Sequence, residues 1–250
     1  MSKAEMVKDR IQQIGGAFMF SREAKEYAAS IGTGEFYGPY TRGRGGVLGD
    51  VDADVVTAAF GFFPPHTIRK AWESLSTPPA EAAAAYARVC QDFGRRKLAA
   101  FEEAGRLARL LEKAADHGDV RGLPLFAGWR AMPLPEDGPG QVLHLCHVLR
   151  EYRAGLHFMA VKASGLTPLQ AVLVAGSPAQ DGPGQARFYG YPEPYEQITD
   201  EIKERWRQAE SITGELVKPA FAALSEQEGD ELVELLAAAH ATVFSRQAST

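Results

Sequence analysis

The stretch "HLCHVLREYRAGLH", His144 to His157, carries three histidines, a cysteine, two arginines and a glutamate in fourteen residues, in a chain with six histidines altogether. At 100° per residue, Val142, Leu145, Val148, Leu149, Tyr152 and Leu156 fall on one arc of a helix, and His144, His147, Arg150, Glu151 and His157 fall on another. The period is helical, with one apolar face and one titratable face. The titratable arc has two readings. It is either a solvated face with incidental histidines or the wall of a cavity, with Arg150 paired to Glu151 or to a ligand carboxylate. Wet faces ordinarily use Glu and Lys, which form helix better than His, so the cavity reading stands beside the solvated one.

The same period runs outward in both directions. Lys3 to Ile14 has helical spacing. Ser21 opens a second helix as its N-cap, with Glu23 close behind and an end near Gly32. "GTGEFYGPYTRGRGGVLGDVDADV" reads as a loop rich in glycine and aromatics, and Asp52 then caps a short helix through Val55 to Phe60. Pro65 suits the first turn of the next helix, where a missing N–H costs nothing. From Pro79 to about Gly118 the alanine-rich pattern predicts one or two long helices, with Gly94 and Gly105 as candidate interruptions. "RGLPLFAGWRAMPLPEDGPGQ" carries Leu125, Phe126, Trp129 and Met132 and reads as an ordered strap.

After the quoted helix, Gly165 is the expected stop and Thr167 caps "PLQAVLVAG". "SPAQDGPGQARFYGYPEPY" reads as loop and turn. A long helix follows from about Tyr195 to Leu224. Ser225, with Glu228 three residues on, opens a last helix. The chain is mainly α.

With 250 residues and 45% hydrophobic content, it can bury one large core or two small ones. The net charge of −5 gives no global attraction to a polyanion, so nucleic acid is not the default partner. No apolar run reaches membrane-spanning length, and "MSKAEMVKDRIQQIGG" lacks the apolar core of a secretory signal. A cytoplasmic protein without a membrane association is expected, with Cys90 and Cys146 as core thiols.

A weak internal echo repeats the order helix, "xxG", loop, short helix. It runs first from Arg22 through "ASIG" and "DADVVTAAFGFFPP" to Trp72, and again from Arg153 through "KASGLTPLQAVLVAGSPA" to Tyr191. Two copies of a three-helix unit with a helix-turn-helix core would produce this.

Three further clusters bear on chemistry. "YTRGRGG", Tyr40 to Gly46, reads either as a flexible surface loop or as a loop whose backbone N–H groups and guanidinium forks of Arg42 and Arg44 approach an anion. "FYGPY", "FGFF", Trp129 and Tyr189 supply rings for a core and for an apolar pocket. A histidine oriented by Glu151 is the natural base for any acid–base turnover, with His144 and His157 as candidates. No nucleophile partner is visible. His144 and His147 sit three apart, but no HExxH or CxxC accompanies them, so no metal or cofactor is assigned.

Four blocks, in order, carry a family resemblance: "SREAKEYAASIG" with "GPYTRGRGGVLGDVDADVVTAAFGFFPP", then "RGLPLFAGWRAMPLPED", "HLCHVLREYRAGLHFMAV" and "GLTPLQAVLVAG". The chain resembles an actinobacterial helix-turn-helix (SalK-like) family. That resemblance implies two winged-helix units of MarR-like ancestry, in pseudo-twofold tandem and joined by long helices, here at residues 1–118 and 119–250. The family's histidine, leucine-arginine-glutamate, arginine and histidine fall on His144, Leu149, Arg150, Glu151, Arg153 and His157. The chain departs from the pattern at His147, at Ala154-Gly155-Leu156, and after Gln185, where the second wing is missing.

These readings converge on a small-molecule-binding protein that holds an aromatic or anionic ligand between its halves, with acid–base turnover as an open extension. His144, His147, Arg150, Glu151 and His157 would form one wall, and Tyr40, Arg42 and Arg44 the opposite one. The alternative is a MarR-type, ligand-responsive DNA-binding regulator. It predicts Arg42, Arg44, Arg69 and Lys70 on one exposed face.

Overall fold

The structure is a computed structural model that describes residues 2–245. In chain order its helices are α1 (Lys3–Ala17), α2 (Arg22–Ser30), α3 (Tyr37–Gly45), α4 (Ala53–Phe60), α5 (Pro65–Glu73), α6 (Pro79–Lys97) and α7 (Ala104–His117). They continue with α8 (Pro124–Arg130), α9 (Gly138–Ala163), α10 (Pro168–Ala175), α11 (Gly182–Tyr189), α12 (Asp200–Phe221) and α13 (Glu226–Phe244). Among the described residues the only β pairing is a single bridge between Ser177 and Gln180.

Local chemistry sets most helix starts. The Ser21 hydroxyl accepts from the Ala24 N–H, and Thr167 with Gln170 and Ser225 with Glu228 form capping boxes. Each such cap contributes about 1 kcal/mol. Pro65 occupies the first turn of α5 as expected. Asp52 precedes α4 without a side-chain cap bond.

The quoted helix, α9, is the axis of the fold. α1, α6, α7, α8 and α12 all pack against it. His144, His147, Glu151 and His157 are consequently buried along with Val142, Leu145, Val148, Leu149 and Tyr152. The solvated-face reading is therefore corrected. A helical wheel sorts residues by polarity, but on a helix packed from both sides the polar arc faces protein.

The alanine-rich segment forms two helices, and the break falls at residues 98–103 rather than at Gly94. Gly94 stays inside α6, where a Cβ would come 2.4 Å from the Pro139 carbonyl oxygen. It lets α6 and α9 approach closely. The strap folds down as α8, with Leu125, Phe126 and Trp129 buried.

Two expected loops are helices. α3 contains "YGPYTRGRG", a poor helix former on propensity. Its small residues fit it between α5 and α6, and tertiary burial decides the conformation. "GPGQARFY" likewise forms α11, with Asp181 accepting from the Gly184 N–H.

The internal echo has a structural counterpart in two short helix pairs, α4–α5 and α10–α11. Each opens with an eight-residue helix and turns on a left-handed-side glycine, Gly61 at φ +67° or Gly176 at φ +56°. The wing expected of the first unit is not present. Only residues 74–78 separate α5 from α6, and neither they nor residues 190–199 contain a strand.

The largest apolar cluster draws on α1, α6, α7, α8, α9 and α13, from both sides of residue 118, and includes the fully buried Trp129, Phe18 and Phe126. Each such side chain stabilises the fold by about 1.5–3 kcal/mol through burial. Cys90 and Cys146 are free thiols in this core. Among the described residues no single helix is long and apolar enough to cross a membrane.

Candidate functional site

One side of α9 is not covered. There, a cleft of about 420 Å³ opens over Arg150, Glu151, Ala154, Gly155, Phe158, Met159 and Lys162. These positions recur at three and four and so share a face of the helix. α4 and the turn after it supply Phe60, Phe62 and Phe63, the start of α8 supplies Leu123, Leu125 and Phe126, α11 supplies Tyr189, and α3 closes the inner end with Tyr40 and Arg44.

The inner end is organised around one carboxylate. Arg44 Nε donates to Glu151 Oε1 at 2.9 Å and Arg44 Nη2 donates to Oε2 at 2.7 Å, while Arg44 Nη1 donates to the Tyr40 hydroxyl at 3.0 Å. Arg150 Nη1 donates to Glu151 Oε1 at 3.0 Å. The Arg44 guanidinium also lies 4.4 Å from the Phe60 ring centroid. Its backbone is held by Trp129, whose indole Nε1 donates to the Arg44 carbonyl at 3.1 Å.

Burial favours the neutral form of both members of this pair, and their mutual attraction outweighs it. Burial raises the Glu151 carboxyl, but Arg44, the neighbouring His147 and Arg150 bring it down to about 2. Burial lowers the Arg44 guanidinium, yet Glu151 leaves it above its ordinary value. Both groups are charged at neutral pH. With Arg150 and Lys162, the cleft presents three cations and one carboxylate.

The predicted site residues divide accordingly. Tyr40, Arg44, Arg150 and Glu151 come together at the cleft. Arg42 does not join them: its Nε donates to the Thr77 carbonyl at 2.8 Å and its guanidinium covers Trp72 at 4.2 Å. His144 lies deeper. Its Nε2 faces the Trp129 carbonyl at 3.4 Å and its Nδ1 faces Gln91 Nε2 at 3.3 Å. A carbonyl only accepts, so Nε2 carries the proton and Nδ1 receives the amide N–H.

His147 stands behind the ion pair, edge-on to Phe18 and Trp129, with neither ring nitrogen hydrogen-bonded and Nε2 3.9 Å from Glu151 Oε1. Burial, opposed by Glu151, holds its pKa down to about 3. His157 turns toward α12, with Nδ1 2.9 Å from the Thr213 hydroxyl. That hydroxyl donates to the Ala209 carbonyl, so His157 Nδ1 is the donor to it. Burial lowers the His157 pKa to about 4 against the pull of Glu210.

None of the three histidines lines the cleft. Among the described residues no group of three His, Cys, Asp or Glu side chains is placed to hold a metal.

Arg44 is buried, whereas Arg69 and Lys70 are exposed on α5 and Arg69 is ion-paired to Asp54. The four basic residues do not share one exposed face.

Sequence reasoning singled out the polar inner end but not Phe126, Phe158 or Lys162. The visible signal was the stripe Arg150, Ala154, Phe158, Lys162 at four-residue steps, with small residues in its middle.

A family described as a helix-turn-helix family matches the chain over residues 4–250. No curated protein and no solved structure is matched.

Proposed function

The chain belongs to this helix-turn-helix family, and from that premise we propose that it binds a small aromatic anion in the cleft between α3, α4, α8 and α9. The observation that carries the reading is the surplus of positive charge in an otherwise apolar cleft. Arg44 is neutralised by Glu151, which leaves Arg150, on that same carboxylate, as the uncompensated cation of the inner end. Lys162, with no acidic partner among the described residues, adds a solvent-exposed cation at the rim. Aromatic walls with a few convergent polar groups are what small ligands use. The cleft draws on residues from 1–118 and from 119–250, in keeping with a ligand held between two halves.

The two helix pairs support descent from a tandem of winged-helix units of MarR-like type that has lost its wings. A cytoplasmic location belongs to the same reading. Binding rather than turnover is favoured, since His144, His147 and His157 stand off the cleft and Glu151 is committed to two arginines.

A second reading, a ligand-responsive DNA-binding regulator, draws on the family match and on the exposed His66 and Lys70 of α5. The four-residue basic face it called for is not formed, since Arg44 is buried and Arg69 is paired to Asp54. Its signature is DNA binding that weakens steeply with salt and on Lys70→Glu.

The primary reading is tested with anilinonaphthalene sulfonate, itself an aromatic anion, titrated into the protein and into Ala154→Trp, which fills the floor of the cleft. Saturable fluorescence enhancement that Ala154→Trp abolishes without lowering Tm supports it. Equal binding by both proteins overturns it.

A further inference from the structure

We infer that the ligand is an elongated aromatic carboxylate lying along α9, its carboxylate at the closed end on Arg150 and its rings running toward Lys162. This rests on the binding reading above and specifies what that site takes.

The cleft has a long axis. Arg150 and Lys162 are three four-residue steps apart, which places them about 18 Å from each other along the helix. Between them Ala154 leaves the floor low, Leu123 packs onto Gly155, and Phe60 and Phe126 stand at its sides. That shape fits two or more rings end to end better than one.

Its two ends differ. At the inner end Glu151 is buried and Arg150 is largely enclosed, its side chain 24% exposed. At the outer end Val55 is 49% and Met159 41% exposed, and Lys162 lies in solvent over the Phe158 ring. A solvated ammonium contributes little to an ion pair. A planar guanidinium in a partly dry site takes a carboxylate through two parallel N–H bonds.

Arg150 is left available for this. Both Glu151 oxygens already accept from Arg44, and Arg150 reaches that carboxylate through Nη1 alone, with no other protein acceptor among the described residues. With Arg44 paired to Glu151, one cation is left over at this end. A singly charged carboxylate is matched there, whereas the second charge of a phosphate ester would be desolvated without a partner.

The test is isothermal titration of biphenyl-4-carboxylate, biphenyl-4-carboxamide, benzoate and biphenyl-4-yl phosphate into the native chain and into Arg150→Gln, Arg150→Lys and Lys162→Gln. Biphenyl-4-carboxylate is expected to bind at least ~10-fold more tightly than each of the others, a difference of about 1.4 kcal/mol. Arg150→Gln should erase the preference for acid over amide while retaining amide binding. Arg150→Lys, which keeps the charge but not the fork, should erase most of it. Lys162→Gln should leave it within about twofold.

Acid and amide binding equally to the native chain, with both lost in Ala154→Trp, overturns this inference and leaves the binding reading standing. So does a preference that Lys162→Gln erases and Arg150→Gln does not, or a tighter phosphate. Absence of binding by every compound, together with sulfonate binding unaffected by Ala154→Trp, overturns both.

Discussion

Arg44 and Glu151, 107 positions apart in the chain, meet in a two-pronged ion pair with both side chains nearly sealed from solvent. The pair fastens α3, a segment with little helix propensity of its own, to the central helix α9. It also places two charges at the closed end of the cleft, and Arg150 joins them from the same helix.

Breaking the pair on one side strands a buried charge. Arg44→Met is expected to destabilise the fold by about 3–5 kcal/mol. Arg44→Met combined with Glu151→Leu should recover much of that loss, because no unpaired carboxylate then remains. Urea unfolding of the two single variants and the double variant checks this. A double variant as unstable as the sum of the singles refutes the coupling.

Acid should weaken the fold before Glu151 titrates. His147 and His157 have folded pKa values near 3 and 4 against an ordinary 6.5, so the folded state resists protons that the unfolded chain takes up. Their contribution is fully present above pH 6.5. It is lost as pH falls toward 4 and then 3, at about 1.4 kcal/mol per pH unit for each histidine. Glu151, lowered from 4.5 to about 2, adds its own loss only below pH 4.5. Urea midpoints should hold from pH 7.5 to about 6.5 and then fall toward pH 4.5, and His147→Leu should flatten that fall by one proton's worth. An unchanged slope counts against a neutral buried His147.

The helices and caps of this fold were legible because they are written locally. Ser21, Thr167 and Ser225 act through residues one turn away, and α9 announces itself by its period. α3 was not legible, since its conformation is decided by α5 and α6, which lie on either side of it. Had it been read as a helix, Arg42 and Arg44, two residues apart, would have fallen on different faces, and only one of them would have been paired with Arg150 and Glu151. The histidines mislead for a related reason. Polarity marks a face, but which neighbour covers that face depends on contacts such as those of Thr213 and Trp129 with α9.

Gly94 lies where α6 crosses the start of α9, and a Cβ there would stand 2.4 Å from one backbone oxygen and 3.0 Å from the Leu143 Cβ. Gly94→Ala, which on propensity alone would stabilise a helix by about 1 kcal/mol, is expected instead to destabilise by about 1–3 kcal/mol as the helices are pushed apart. Gly34→Ala, with nothing within 4 Å, is the control. A raised Tm for Gly94→Ala would show that α6 and α9 do not cross this closely.

Trp129 ties stability to the site. Its indole is fully buried and donates to the Arg44 carbonyl, and its own carbonyl receives the His144 Nε2–H. Trp129→Phe keeps most of the apolar contact but leaves the Arg44 carbonyl without its donor, at a cost of about 1–3 kcal/mol. Because that carbonyl belongs to the residue that holds Glu151, the loss should also appear in binding, as a reduced preference for aromatic acid over amide. In a protein where the indole only fills space, the same variant would lower Tm and leave that preference intact. Calorimetric unfolding paired with titration of the acid and the amide therefore separates a residue that positions Arg44 from one that merely packs.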